Sequence, residues 1–286
     1  MTGRISIMAL SIALGSVYAQ QPLPLEPIHT TGQSITGAFE GWFQNKDGSY
    51  SLLLGYFNRN TREEMDIPIG PNNHIDPGGP DYGQPTHFIP GRMWGEFVIK
   101  VPKDFGEKQL TWTITANGKT TKIPMYLKTD WEVSPFVDAT GDTPPYIGFS
   151  AAGPFVNGPA GQSSMATATV GTPLPIKIWV ADDASVVAGA TKPRTPAATI
   201  FWSKYRGPGK VTFDKDRPPV QPEDFKAPVD QFKGTATTNA TFSEPGEYVL
   251  RVVANDWTRD GGGGFQCCWT NALLKVTVKG GSGGAR

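Results

Sequence analysis

The sequence predicts an all-β protein, two antiparallel β-sandwiches in tandem behind a signal peptide. Three observations carry that reading. Apolar and polar residues alternate over short runs, turn dipeptides separate the runs, and no stretch shows a sustained helical period. A chain of 286 residues is long for one sandwich and suited to two, since domains commonly run about 100–150 residues. Hydrophobic residues at 38% and aromatics at 11% suffice for real cores. The 34 glycines and 26 prolines suit many short strands joined by tight connections.

Residues 1–19 read as the signal peptide. Arg4 gives a positive start, residues 5–17 are mostly apolar, and Val17-Tyr18-Ala19 fits small-residue cleavage. The apolar run is too short to cross a bilayer, which takes about 20 residues. The mature chain is expected to start at Gln20, to be secreted or periplasmic, and to make no membrane insertion once the signal is cleaved. Residues 20–33 form a Pro-rich, extended lead-in.

An N-terminal sandwich is predicted over 34–130, with strands at 38–44, 49–58, 65–69, 94–101, 110–116 and 120–127. Asn45-Lys46-Asp47-Gly48 and Asn117-Gly118 mark two hairpins, because these pairs accept the unusual backbone angles of tight turns. Leu110, Trp112 and Ile114 share one face of their strand. Residues 70–92 are dense in Pro, Gly, Asn and Asp and lack periodicity; loops of that length are often functional. Residues 131–145 read as a linker.

The second β region covers 146–279, with strands at 166–170, 175–181, 199–205, 211–213, 235–242, 247–254 and 272–278, followed by a flexible tail at 280–286. Val249, Leu250, Val252 and Val253 mark a buried strand, and Trp202 a core residue. Tyr248, just after Pro245-Gly246, is placed to brace a corner. Gly171-Thr172-Pro173 precedes a strand that ends in Asp182-Asp183. Trp202-Ser203-Lys204, Gly207-Pro208-Gly209, Val211-Thr212-Phe213 and the run 240–251 with Asn255-Asp256 follow in order. Together they resemble a PKD-type domain over about 152–279. That resemblance implies an immunoglobulin-like sandwich, commonly a non-catalytic module of cell-surface and secreted proteins. It covers under half of the chain and assigns no family to the first half.

Two loops depart from the pattern, at 184–198 and at 257–270, the second carrying four glycines at 261–264. In an immunoglobulin-like sandwich both emerge at one pole. Trp257, Phe265 and Trp269 are therefore candidate ligand-binding aromatics. Asp182, Asp183, Asn255, Asp256 and Asp260 bring hard oxygens to the same pole, and calcium takes six to eight such ligands. The same residue types at strand ends also cap turns, so both readings stand. Cys267 and Cys268 are the only cysteines. A vicinal disulfide is the leading reading in an oxidising compartment, beside an intermolecular bridge or a strand that points one thiol inward. Two thiolates alone do not close a zinc site.

His74, His87, Asp76 and Asp81 in the 70–92 loop are metal-ligating types without a ligand-motif spacing. No nucleophile elbow occurs. The 26 basic and 26 acidic residues balance and form no basic stripe, which argues against electrostatic nucleic-acid binding. No cofactor beyond calcium is implied. The expected function is a structural or adhesive module of the cell exterior or periplasm. The alternative is a carbohydrate- or ligand-binding module acting through the pole of loops 184–198 and 257–270, with a cell-surface protein or glycan as partner. A secreted hydrolase working through 70–92 comes third, weakened by low histidine content and the missing nucleophile motif. The sequence names neither the ligand nor the oligomeric state.

Overall fold

The computed structural model describes residues 29–139, 141–186, 189, 191, 194–258 and 267–281. The expected signal peptide, most of the expected lead-in and most of the expected tail lie outside them, as do Asp260, Phe265 and the glycine run. Among the described residues every regular element is a strand except one 3-10 turn at Thr129–Trp131. No helix among them is long and apolar enough to cross a membrane.

In the N-terminal half the strands are β1 (Ile35–Gln44), β2 (Tyr50–Asn58), β3 (Met65–Asp66), β4 (Asn73–Asp76), β5 (His87–Phe88), β6 (Gly91–Val101), β7 (Leu110–Ala116) and β8 (Lys119–Met125). One sheet runs β1-β2-β6 and the facing sheet β4-β7-β8. This is the strand order A-B-E over C-F-G, a six-stranded immunoglobulin-like Greek key. Both hairpins form where the turn residues place them. Asn117 and Gly118 take φ of 48° and 74° between β7 and β8, and Gly48 N–H donates to the Asn45 carbonyl between β1 and β2.

The C-terminal half continues with β9 (Tyr146–Gly148), β10 (Gln162–Thr169), β11 (Leu174–Asp182), β12 (Thr199–Arg206), β13 (Val211–Phe213), β14 (Gln221–Pro222), β15 (Phe232–Phe242), β16 (Gly246–Asn255) and β17 (Trp269–Lys279). One sheet is β10-β17-β16-β12, with β10 parallel to β17, and the other is β13-β15-β11-β9. Again the connectivity is an immunoglobulin-like Greek key. Trp202 lies in its core. The Tyr248 hydroxyl donates to the Glu244 carbonyl and accepts from Gly209 N–H, both at 3.0 Å, which braces the corner before β16.

The 70–92 segment is not the irregular loop its composition suggested. It contributes β4, which pairs with β7, and Asn73 of β4 is fully buried. The Asn73 amide donates to the Ile67 and Pro85 carbonyls and accepts from Trp112 Nε1–H at 2.9 Å. A single polar side chain thus replaces the backbone pairing that regular structure would supply. Four residues of strand are too few to show a period, which is why composition misled.

The two sandwiches meet face to face. Along β16, Tyr248, Leu250, Val252 and Ala254 point into the C-terminal core. The alternate residues turn to the first half: Val249 packs on its core and Val253 on Leu53. Along β2, Leu52, Leu54 and Tyr56 fill the first core while Leu53 faces outward to Val253 and Trp269. Sheets covered on both faces have near-continuous apolar strands, which accounts for Val249, Leu250, Val252 and Val253 on either side of Arg251. Val133 and Phe136 lie along this joint: Val133 N–H donates to the Trp42 carbonyl, and Phe136 meets Phe43 edge-on.

Candidate functional site

Buried charged groups gather at two places, the joint between the sandwiches and one pole of the second. At the joint, the second half supplies the cations and the first half the acids. Arg251, 2% exposed, pairs with Glu96 at 2.9 Å and donates to Asn271 Oδ1 at 2.7 Å. Asn271 in turn donates to the Gly95 carbonyl at 2.6 Å. Arg206 pairs with Asp81, and its guanidinium also donates to the Gln84 carbonyl. Lys204 pairs with Asp66 at 2.9 Å. His87 sits between Asp66 at 2.9 Å and Glu64 at 3.3 Å. Burial opposes protonation of this imidazole, but hydrogen bonds to Asp66 and Glu64 outweigh it and raise its pKa. Complementary charge of this kind fixes register between surfaces.

These contacts also disperse the metal-ligating residues of 70–92. His74 pairs with Asp76, His87 with Asp66 and Glu64, and Asp81 with Arg206. The four do not converge on one point.

Trp269 departs from its expected place. It opens β17 rather than standing in an exposed loop, is 1% exposed, and packs with Leu53 and Val253 at the joint. A side chain at Gly95, which has φ +47°, would meet the Trp269 ring at 2.0 Å, so the backbone of β6 approaches the indole directly. The period-two pattern of β17 contains this information, but the adjoining loop sequence obscured where the strand began.

At the pole, the two unusual loops do come together. Trp257 is half-buried, and its Nε1–H donates to the Thr195 carbonyl at 3.2 Å. Beside it opens a cleft of about 710 Å³, lined among others by Pro196, Arg217, Pro219, Asn255, Asp256 and Trp257.

Below the cleft, carboxylates converge. Asp182 and Asp256 each accept a backbone N–H two residues on, from Ala184 at 2.8 Å and Thr258 at 2.7 Å. Asp183 accepts from the Ser185 N–H and from the Thr143 hydroxyl at 2.6 Å. Turn capping is therefore real at these positions. The centre of the group is a residue missing from the sequence-derived set. Asp142, 3% exposed, lies among Asp183 and Asp256. Burial, then the Asp256 and Asp183 carboxylates, push its carboxyl up to about 9, so it holds a proton at neutral pH. Asp183 moves the other way: burial would raise it, but hydrogen bonds from Thr143 and Ser185 bring it down. Asp142 was hidden in the stretch taken for a linker, where only its Asp/Thr/Gly-rich surroundings hinted at a fixed turn.

Cys267 and Cys268 are joined as a vicinal disulfide against this group, both buried. Their sulfurs lie 3.9 and 3.4 Å from the Asp142 carbonyl oxygen. Asp142, Asp256 and Cys268 place ligand-type atoms within 4.8 Å of one another.

No family model and no curated protein matches the chain. Among solved structures, it is similar to the cadherin-like domains 1 to 4 of zebrafish RET, at 13% identity and TM-score 0.26, over 76% of this chain and 46% of that one. It therefore spans about half the length of that structure. Domains 4 and 5 of the S-layer protein SbsC match at 10% identity and TM-score 0.22, over 86% and 98% of the two chains. A mutant of the CFA/I enterotoxigenic E. coli adhesin CfaE matches at 7% identity and TM-score 0.24, over 90% and 81%.

Proposed function

We propose that this chain is an exported, non-catalytic structural or adhesive module of the cell exterior or periplasm, with its two sandwiches held in one fixed orientation. The observation that carries this is the joint. Domains in one chain usually move relative to one another unless their interface is large and apolar. Here β16 is buried on both faces, and three cation–acid pairings cross the joint. A module that holds or presents a surface needs such a fixed geometry, whereas the described polar clusters offer no paired nucleophile and base. The purified mature chain, beginning near Gln20, is expected to cosediment with cell-envelope material and to leave ester, peptide and glycoside substrates intact. Hydrolysis that is lost in His87→Ala would overturn this reading.

The cleft beside Trp257 favours a second reading, in which the pole binds a glycan or a cell-surface protein. The carboxylates beneath it suit calcium, which would neutralise their mutual repulsion and hold the pole in place. Asp142, Asp183 and Asp256 are the residues for that ion. Asp182 and Asn255 flank them.

A further inference from the structure

We propose that reduction of the Cys267–Cys268 disulfide converts the acidic pole into a mixed thiolate–carboxylate site for a thiophilic divalent cation of the zinc class, held by Cys268, Asp142 and Asp256. This shares carboxylates with the calcium reading but requires a different cation and a different redox state.

Two thiolates alone are too few ligands for such an ion, and the tertiary structure supplies what they lack. The Cys268 sulfur and one oxygen each of Asp142 and Asp256 all lie within 4.8 Å of one another, on three buried residues. Small side-chain movements would bring them to zinc distances of about 2.0–2.3 Å. Asp142 is 3% exposed, and no N–H or O–H group among the described residues donates to its buried Oδ1. Its carboxyl faces Asp256 and Asp183. A buried oxygen of this kind is expensive unless something bonds to it. Cys267, whose sulfur lies against the same Asp142 carbonyl, is placed for the fourth position.

As a disulfide the sulfurs carry no charge for a metal, and the pole offers oxygens only. A dithiol or phosphine reductant delivers two electrons. The S–S bond breaks and two protons complete two thiols, while the dithiol closes to its own disulfide or the phosphine takes oxygen from water. Metal binding then forms a metal–sulfur bond at Cys268 and releases the thiol proton to solvent. Thiolate ligands select zinc-class ions over calcium.

Cobalt(II) is the probe, because a thiolate bound to it gives a near-ultraviolet charge-transfer band that carboxylates do not. The oxidised full chain is expected to show no such band, and the phosphine-reduced chain to show it and lose it to added zinc. Cys267→Ser leaves Cys268 permanently as a thiol, so this variant is expected to bind cobalt with no reductant. Adding Asp256→Asn should weaken that binding by more than the roughly 100-fold that an outer-sphere partner costs at most. Binding without the band in both the reduced chain and Cys267→Ser would overturn the proposal, as would undiminished affinity after Asp256→Asn. If Cys267→Ser does not fold, the reduced wild-type chain decides by the same band. Melting of the oxidised chain with and without calcium tests the calcium reading separately, and its failure leaves the cobalt result standing.

Discussion

The joint and the pole bury charge in opposite ways. At the joint, Arg251, Lys204 and Arg206 face Glu96, Asp66 and Asp81, so each charge meets its counterpart across the two sandwiches. At the pole, Asp142 sits against Asp183 and Asp256, and its carboxyl keeps a proton because it is buried and its neighbours share its sign. Desolvating a charge costs several kcal/mol, recovered only by a good partner. The joint matches each charge with its opposite and reads as architecture. The pole is a set of acids that a cation would complete, and it adjoins the cleft at Trp257. Burial alone does not separate a structural cluster from a functional one; the sign of the neighbours does.

The largest effect is expected at the joint. Arg251→Ala leaves Glu96 buried without its cation and should cost about 3–5 kcal/mol in denaturant unfolding. Replacing both partners with apolar residues, as in Arg251→Met with Glu96→Leu, should recover most of that loss. Additive damage in the double variant would show that the pair does not act as a unit.

An intermediate effect is expected at the pole, with a definite dependence on pH. Asp142, raised from 3.8 to about 9, keeps a proton in the fold that the unfolded chain releases. Its contribution is full below 3.8 and is lost as pH rises toward 9. His87 has the same sign, its contribution being lost as pH rises through its raised pKa, above 6.5. Glu64 and Asp66 have the opposite sign, since their lowered values make stability fall in acid below about 4.5. The melting temperature should therefore peak in mild acid. Asp142→Asn should raise it at alkaline pH and abolish any gain from calcium. An unchanged pH profile in that variant would remove Asp142 from the centre of the pole.

The smallest effect on stability belongs to Trp257→Ala. Loss of the hydrogen bond from its half-buried indole to Thr195 should shift stability by about 0.5–1.5 kcal/mol. The same change should abolish capture of any glycan or protein partner that a pull-down identifies, as loss of an aromatic anchor commonly does. Trp269→Ala makes the contrast, costing about 3–5 kcal/mol as a buried aromatic. Equal destabilisation by both would erase the distinction between joint and pole.

Local pattern by itself determined much of this protein. The strand at 110–116 stands where alternation placed it, and Asn117-Gly118 forms the hairpin its backbone preference requires. The pole was legible too, because an immunoglobulin-like order sends loops 184–198 and 257–270 the same way, and Trp257 meets Thr195 there. Val249, Leu250, Val252 and Val253 announced a buried strand without saying what covered it. Only the tertiary structure decided that. Which surface meets β16, why Trp269 is buried against Gly95, and how Asp142 comes to lie among Asp183, Asp256 and the cysteines all depend on residues about 40 to 175 positions apart in the chain. Alternation and turn chemistry act over a few neighbouring residues. The sign and distance of a charge's partners are set only when remote strands pack.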